Sequence, residues 1–228
     1  MIRFFHVARG FSATDVLLDV NLAVDPGEAV LLSGAAGAGK SVLARLLLGL
    51  DKPRRGWISV DGLVLGDCPE ALLAAHRRRV ALIPQRAHFV ESADAVQNVA
   101  LALEVGGMAA LEARRVAHTC LERLGLAAIA ERRAAVLSAT ERHWLAVARG
   151  LVRGDAALVV ADEPTDGLDA PDARRIGALL AAERDRGAAV LVLSRATALS
   201  GLTAARLVAL VEGKAGVEPA EEIGRRAS

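Results

Sequence analysis

Gly34-Ala35-Ala36-Gly37-Ala38-Gly39-Lys40-Ser41 matches the pattern G-x-x-x-x-G-K-S/T at every fixed position. It follows Ala29–Ser33, a short apolar run typical of a strand buried on both faces of a mixed or parallel sheet. A helical pattern, Val42–Leu48, comes next, and a helix directs its positive end at a bound phosphate. Glycines let backbone N–H groups surround a phosphate, Lys40 would neutralise phosphate charge, and Ser41 offers a hydroxyl to Mg²⁺. The stretch therefore predicts a phosphate-binding loop between a strand and a helix.

A second candidate site is an apolar run that ends in two acids, Leu158-Val159-Val160-Ala161-Asp162-Glu163. A buried strand that ends in Asp162 is suited to hold a carboxylate near Mg²⁺. Glu163 would then accept a hydrogen bond from an attacking water. Acids also end strands simply as turn residues, so the run is informative mainly through its pairing with the phosphate loop.

Strand and helix patterns alternate along the chain, and a helical block interrupts them. The predicted helices of this block are Asp94–Glu104, Ala109–Leu124 and Glu141–Arg153, and a further helix is predicted at Asp172–Arg186. The predicted strands are Ile2–Val7, Val16–Val24, Ala29–Ser33, Trp57–Val60, Val80–Ile83, Ala157–Ala161, Val190–Leu193 and Leu207–Val211. This order predicts one α/β domain with a core at residues 1–90 and 155–215, an α-helical insertion at 91–154, and a loose tail at 216–228.

Composition excludes several classes of protein. The net charge of +1 gives no sign of nucleic-acid binding, and the two cysteines form no disulfide framework or metal site. The basic run Arg77–Arg79 is expected to be a solvated helix end before a strand, with a phosphate or lipid contact as the alternative. No apolar run reaches the roughly 18 residues that span a bilayer, and Met1–Val7 lacks the apolar stretch of a signal peptide. We therefore expect a cytoplasmic protein.

The two motifs, their separation and the helical block between them resemble the ATP-binding subunit of ABC transporters, from Ile2 to Gly213. The resemblance implies a P-loop NTPase core of ABC-ATPase type, ATP and Mg²⁺ as ligands, and a dimer with itself or with a related subunit. It also implies docking on a membrane permease at the inner face of the cell membrane. Gln85 matches the family's glutamine that touches Mg²⁺ and senses the permease, and Asp166-Gly167-Leu168-Asp169 matches the family's D-loop.

Two aromatic residues have open roles. Phe11 matches the family's aromatic that stacks on adenine, and the alternative is a buried core residue. Phe89 and the helix Asp94–Glu104 follow Gln85, where the family docks its permease. Burial of Phe89 within its own domain fits the sequence equally well.

Within the family, the sequence is most similar to the cell-division ATP-binding proteins of FtsE type. The shared segments are Leu32-Ser33-Gly34, Arg77-Arg78-Arg79-Val80, Gln97-Asn98-Val99-Ala100 and Ala161-Asp162-Glu163-Pro164-Thr165. This likeness implies an FtsX-like permease as the partner and control of cell-wall hydrolases as the output. Lipoprotein-releasing and macrolide-export ATPases carry the same motifs and are the alternative.

The family signature, Leu-Ser-Gly-Gly followed by Gln or Glu, is altered here to Leu137-Ser138-Ala139-Thr140-Glu141. In the family this loop closes onto the γ-phosphate bound by the opposite subunit, and its glycines permit close backbone approach. Ser138 is kept as a nucleotide contact, whereas Ala139 and Thr140 add Cβ atoms. The same residues also form the pattern of a capping box, Ser138-x-x-Glu141, which would start a helix whether or not the loop meets a phosphate.

Arg195 stands where the family has its switch histidine, after the strand Val190–Leu193. Arginine cannot accept a proton or a hydrogen bond, but it can stabilise γ-phosphate charge; the alternative is an arginine that faces solvent. With Glu163 and Arg195 as the catalytic pair, we expect an ATPase of low activity. The rivals are a nucleotide-gated scaffold that hydrolyses almost nothing and a P-loop ATPase without a permease.

Overall fold

The computed structural model describes residues 2–11 and 14–215, and of Phe11 and Thr14 it describes the backbone alone. The strands are β1 (Ile2–Phe11), β2 (Thr14–Val24), β3 (Ala29–Ser33), β4 (Arg55–Val60), β5 (Leu63–Val64), β6 (Val80–Ile83), β7 (Leu158–Asp162), β8 (Ala189–Ser194), β9 (Arg206–Ala209) and β10 (Lys214–Ala215). The helices are α1 (Lys40–Leu47), α2 (Glu70–Arg78), α3 (Ala95–Glu104), α4 (Ala110–Arg123), α5 (Ala139–Leu151) and α6 (Ala170–Asp185). Short 3-10 turns at Ala127–Ile129 and Ala134–Val136 connect α4 to α5.

A parallel sheet in the order β6-β7-β8-β3-β9 forms the centre of the protein. Its middle strands are runs of Val, Leu and Ala that are buried on both faces, as the sequence of β3 predicts. Because the strands are parallel, their carboxyl ends meet at one edge of the sheet. There Ser33 pairs in register with Ser194, and Asp162 pairs with Leu193. The residues that follow β3, β7 and β8 are therefore brought together, as expected at the ligand-binding edge of such sheets.

A second sheet, in the order β10-β2-β1-β4-β5, covers one side of this centre. Strand β1 pairs antiparallel with β2 and β4, and the inner face of the sheet buries Ile2, Phe4 and Ile58. Helix α1 lies between the two sheets, where Leu43, Leu46 and Leu47 of the helix are fully buried. Burial of this apolar stripe fixes the start of α1, and with it the phosphate loop, relative to both sheets.

Helices α3, α4 and α5 follow β6 and precede β7, as the helical block of the sequence predicts. They pack on one another and on the parallel sheet through a common apolar cluster that includes Val99, Leu121 and Leu145. Across the described ranges, none of the helices combines the length and the apolar character that crossing a bilayer requires.

The predicted bounds hold for β3 and β6 and shift elsewhere. Helix α5 begins at Ala139 rather than at Glu141, because Ser138 caps it. Strand β9 ends at Ala209 rather than at Val211. Of α2 only the solvated end at Arg77–Arg79 was expected; the helix is 9 residues long and buries only Leu73 and His76.

Candidate functional site

Two glycines of the phosphate loop, Gly34 and Gly39, lie in close contact with neighbouring residues. Gly39, with φ of 101°, precedes the first residue of α1, and a Cβ there would lie 2.6 Å from Leu17 Cδ2. A Cβ at Gly34 would lie 3.0 Å from the carbonyl oxygen of Leu210. The loop therefore turns tightly between β3 and α1, and the start of α1 faces the space that the loop encloses.

A cleft of about 360 Å³ opens above this loop. Most residues that the sequence assigns to nucleotide, metal and catalysis line it together, joined by Val16, which the sequence did not single out. The lining residues are Val16, Ala36, Gly37, Gly39, Lys40, Ser41, Val42, Gln85, Asp162, Glu163 and Arg195. Gly34, Ala35 and Ala38 complete the loop beneath it. The predicted stacking of Phe11 on adenine concerns a side chain outside the described residues.

Asp162, at the end of β7, is the best candidate to hold a metal ion. Ser41 Oγ donates a hydrogen bond to Asp162 Oδ2 at 2.7 Å, whereas the buried Oδ1 has no hydrogen-bond partner among the described residues. Burial raises the pKa of Asp162, and the nearby charge of Glu163 raises it further, against the bond from Ser41 and the charge of Lys40. A buried, unpartnered carboxylate oxygen beside a hydroxyl fits Mg²⁺, which prefers oxygen ligands.

Lys40 is buried, and its ammonium contacts two carbonyl oxygens of its own loop and the carboxylate of Glu163. Its ammonium donates to the carbonyl oxygens of Gly34 at 2.7 Å and Ala35 at 3.0 Å, and it lies 3.3 Å from Glu163 Oε1. A buried ammonium needs such partners to offset its lost hydration. The same position allows a phosphate to replace these contacts with charge-assisted hydrogen bonds.

The carboxylate of Glu163 accepts two hydrogen bonds from residues at the end of β8. Its backbone has a φ of 48°, unusual for a residue other than glycine. Ser194 Oγ donates to Glu163 Oε2 at 3.3 Å and the backbone N–H of Arg195 donates to the same oxygen at 3.2 Å. Ser194 was missed by sequence reasoning, although its place at the end of β8, beside β7, could have indicated it.

Arg195 is half exposed but does not simply face solvent, which was one of the two expectations for it. Its guanidinium lies 3.6 Å from Glu163 Oε1 and forms an ion pair with Asp166. Contact with a γ-phosphate stays a prediction, and the guanidinium does line the cleft.

The altered signature forms the start of α5 and does not line the cleft of this chain. Ser138 Oγ accepts from the backbone N–H of Glu141 at 3.3 Å, and the carboxylate of Glu141 accepts from the backbone N–H of Ser138 at 2.7 Å. These bonds from Ser138, with a smaller effect of Arg132, lower the pKa of Glu141. The capping box is therefore confirmed. Further along α5, the ring of His143 contacts the carbonyl oxygen of Pro164 at 2.6 Å, directly after Glu163.

Phe89 is partly buried against the core of its own chain and lies near two arginines of α5; burial within its own domain was one of the two expectations for it. The Arg142 and Arg149 guanidinium carbons lie 5.1 Å and 4.7 Å from the centre of its ring. Arg149 also donates to the carbonyl oxygen of His88 at 2.7 Å. Gln85, four residues before Phe89, is exposed and lines the cleft.

Comparison with known proteins agrees with this geometry. Residues 17–166 match the family model described as "ABC transporter". The lipoprotein-releasing system ATP-binding protein LolD of Hyphomonas neptunium is 36% identical over 93% of this chain and 92% of its own length. The macrolide export ATP-binding/permease protein MacB of Hahella chejuensis is 33% identical over 93% of this chain and 33% of its own length. The solved structure of the ATP-binding cassette MJ0796 bound to ADP and Pi, a dimer in a post-hydrolysis state, has a TM-score of 0.82 at 27% identity and covers 96% of this chain and 97% of its own.

Proposed function

Since this chain belongs to the ABC transporter family, we propose that it binds ATP with Mg²⁺ in the cleft above residues 34–41 and couples that binding to a membrane permease. One observation carries the proposal: Ser41 is hydrogen-bonded to Asp162, and the other Asp162 oxygen is buried without a hydrogen-bond partner in the part of the chain that the structure describes. In a protein with no ligand to bind here, a buried and unsatisfied carboxylate oxygen would only cost stability.

Different groups in the cleft would bind different parts of the nucleotide and its metal ion. The backbone N–H groups of the loop and Lys40 would hold the phosphates, with Phe11 at the adenine end. Ser41, Asp162 and Gln85 would hold Mg²⁺, which neutralises phosphate charge when bound. Glu163 would orient an attacking water through its carboxylate.

The partner is proposed to be a membrane permease, with a second ATP-binding subunit, identical or related, completing the dimer. The helical insertion at residues 91–154 of the α/β core is the region of this chain that would dock on the permease. Phe89 is held by α5 and is poorly suited to dock, whereas Val90, Leu101 and Val105 nearby expose large parts of their side chains. Leu101 and Val105 are four residues apart at the end of α3, so they share one face of the helix and support a protein contact there.

The identity of the permease would determine the biological process in which the chain acts. Cell division with an FtsX-like permease rests on motif resemblance alone. LolD and MacB, two of the relatives reported above, favour a lipoprotein-releasing or macrolide-export system instead. Either system would place the chain at the inner face of the cell membrane, held there by its permease.

A second candidate function is a nucleotide-gated scaffold with little or no hydrolysis. The observation in its favour is that Arg195 and Lys40 both contact the carboxylate of Glu163, which therefore has less freedom to orient water. Ala139 and Thr140 favour the same reading, because they add side chains at the signature. Our proposal of slow hydrolysis lies between this scaffold and an ordinary ATPase of the family.

Calorimetric titration of the chain with ATP, with Mg²⁺ and then with EDTA, tests nucleotide binding. We expect binding that Mg²⁺ strengthens; no binding in either condition would overturn the proposal.

Fractionation of cells with and without the permease gene tests coupling of the chain to the permease. We expect the chain on membranes only when the permease is present, and a chain that stays on membranes without it contradicts the docking model.

A further inference from the structure

Charged side chains of alternating sign connect the phosphate loop to the turn that follows β7. Lys40 Nζ lies 3.3 Å from Glu163 Oε1, and Arg195 Nε lies 3.6 Å from the same oxygen. Arg195 Nη2 in turn pairs with Asp166. Lys40 and Arg195 therefore share the carboxylate of Glu163, and Arg195 also pairs with that of Asp166. We call Lys40, Glu163, Arg195 and Asp166 the ion-pair chain.

The two ends of the ion-pair chain differ in burial. Lys40 and Glu163 keep only 7% and 8% of their side chains exposed, whereas Arg195 and Asp166 keep 53% and 41%. A buried pair is hard to separate unless another charge replaces the lost partner, but an exposed pair is weak and screened by water. The outer pair, Arg195 with Asp166, is therefore the part that opens first.

Glu163 does not depend on the Arg195 side chain for its position. Its second oxygen, Oε2, is held by Ser194 Oγ and by the backbone N–H of Arg195. Neither bond is lost when the Arg195 guanidinium swings away. The guanidinium is thus a removable counter-charge that also ties the turn at Asp166 to the cleft.

We propose that the ion-pair chain is a latch that distinguishes a nucleoside triphosphate from a diphosphate, with Arg195 as its positioning residue. A terminal phosphate beside Lys40 competes with Glu163 and Asp166 for both cations and draws Arg195 away from Asp166. A diphosphate satisfies Lys40 and leaves the outer pair closed. The inference rests on the proposed nucleotide site, and it assigns to Arg195 the task of coupling the terminal phosphate to the turn at residues 163–168.

The nucleotide-free protein provides the first test, which does not depend on ligand binding. In the turn, the N–H of Asp166 donates to the carbonyl oxygen of Glu163, and the N–H of Leu168 donates to that of Thr165. We expect Asp166→Asn and Arg195→Ala to speed hydrogen exchange of these amides by about two- to five-fold, the range for loss of an exposed ion pair. Unchanged exchange in both variants would overturn the latch.

Arg186→Ala is the matched control for exchange. Arg186 is also 53% exposed and pairs with a buried glutamate, Glu183, but it lies at the end of α6, away from the cleft. We expect this variant to leave exchange of the Asp166 and Leu168 amides as in wild type. Equal acceleration by Arg186→Ala would mean general loosening, and the latch would be refuted.

Nucleotide affinity provides the second test, with Mg²⁺·ADP and the Mg²⁺ complex of a non-hydrolysable ATP analogue as probes. Asp166→Asn frees Arg195 for the terminal phosphate, so we expect analogue affinity to rise about two- to five-fold and ADP affinity to stay constant. Asp166→Glu should restore the wild-type ratio of the two affinities. A merely structural role would change both affinities together, and a wild-type ratio in Asp166→Asn refutes the latch. If the wild-type chain binds neither probe, the proposed function fails and the latch fails with it. If it binds both probes and Asp166→Asn keeps the wild-type ratio, only the latch fails.

Discussion

The phosphate loop and the start of helix α5 depart to different extents from the ABC family patterns. The loop, with Ser41 and Asp162 beside it, has every residue that its motif requires, and contacts within this one chain favour glycine at Gly34 and Gly39. The start of α5 keeps Ser138 but carries Ala139 and Thr140, and its capping box keeps the helix intact. The fold of this chain therefore constrains the loop, whereas the signature can change without destabilising the helix. Nucleotide binding and turnover should therefore be separable by mutation.

Lys40→Ala should have the largest effect, because it acts on the intact side of this comparison. The variant removes a buried cation from a site for negatively charged phosphates, and loss of one partner of a buried charge pair costs about 2–5 kcal/mol. ATP affinity should fall by at least about 30-fold, which is loss of binding in practice. Calorimetry with Lys52→Ala, an exposed lysine, as the control measures it. Equal affinity of Lys40→Ala and wild type would contradict the site.

Restoring the family residues on the altered side should have the next largest effect. We predict that wild type hydrolyses ATP very slowly, and that Arg195→His with Ala139→Gly and Thr140→Gly speeds steady-state phosphate release by about 10²-fold, as expected for one regained water-positioning group. In a homodimer each site combines the loop of one subunit with the signature of the other, so both sites carry both changes. A heterodimer with an ordinary relative would keep one competent site.

Glu163→Gln in the restored background is expected to return phosphate release to the level without enzyme, because it removes the group that would orient water. Arg186→His serves as the control for a histidine placed at an exposed arginine. Each glycine within the first turn of α5 costs up to about 1 kcal/mol of helix stability, so assays belong well below the melting temperature. Brisk hydrolysis by the wild-type chain, at rates usual for the family, would show that Arg195 and the altered signature do not limit turnover.

Sequence reasoning was most successful where the backbone itself carries the information. The continuous apolar runs of β3 and β6 gave their bounds, and the glycine pattern of residues 34–41 gave the loop. It was weaker where the answer depends on which strands are neighbours. The pairing of Arg195 with Glu163 and Asp166 arises because β7 and β8 lie side by side, so that the residues after each strand meet.

The omissions of Val16 and of helix α2 have different causes. Val16 was not identified because it reaches the cleft only through the position of β2 next to Gly39. Helix α2 has only 9 residues, fewer than the roughly 11–18 over which a helical period can be recognised in a sequence.

Asp162→Asn should have opposite effects on the nucleotide-free and nucleotide-bound protein. The pKa of Asp162 is raised above its ordinary value of 3.8, so the fold retains a proton that the unfolded chain has lost. Stability of the free protein therefore falls as pH rises from 3.8 through the folded pKa, and stays lowered at neutral pH. Removal of the charge should raise the neutral melting temperature by about 2–4 °C per kcal/mol recovered. In Asp162→Asn, ATP with Mg²⁺ should raise the melting temperature no more than ATP alone does.

Differential scanning fluorimetry across pH, without ligand and with ATP plus Mg²⁺ or EDTA, measures both effects of Asp162→Asn. Asp155→Asn, which removes an exposed carboxylate outside the cleft, is the control and should change neither. A variant that retains the wild-type Mg²⁺ dependence would remove Asp162 from the metal site.

Ser138→Ala should have the smallest effect, and it tests whether the altered signature serves mainly to start a helix. Loss of this N-cap costs about 0.5–2 kcal/mol, which lowers the melting temperature by about 2–4 °C per kcal/mol, while ATP affinity of the isolated chain should stay unchanged.

The pKa of Glu141, the other half of the capping box, is lowered, so the contribution of Glu141 to stability is present above the ordinary value of 4.5 and is lost as pH falls through the folded pKa. Glu141→Ala should therefore destabilise at neutral pH but not in acid. Asp94→Ala, which removes the matching capping box of α3, should lower the melting temperature similarly, as thermal denaturation can measure. If Ser138→Ala instead weakens ATP binding by the isolated chain and leaves the melting temperature unchanged, Ser138 acts on nucleotide within its own subunit, and the division between an intact loop and a structural signature is wrong.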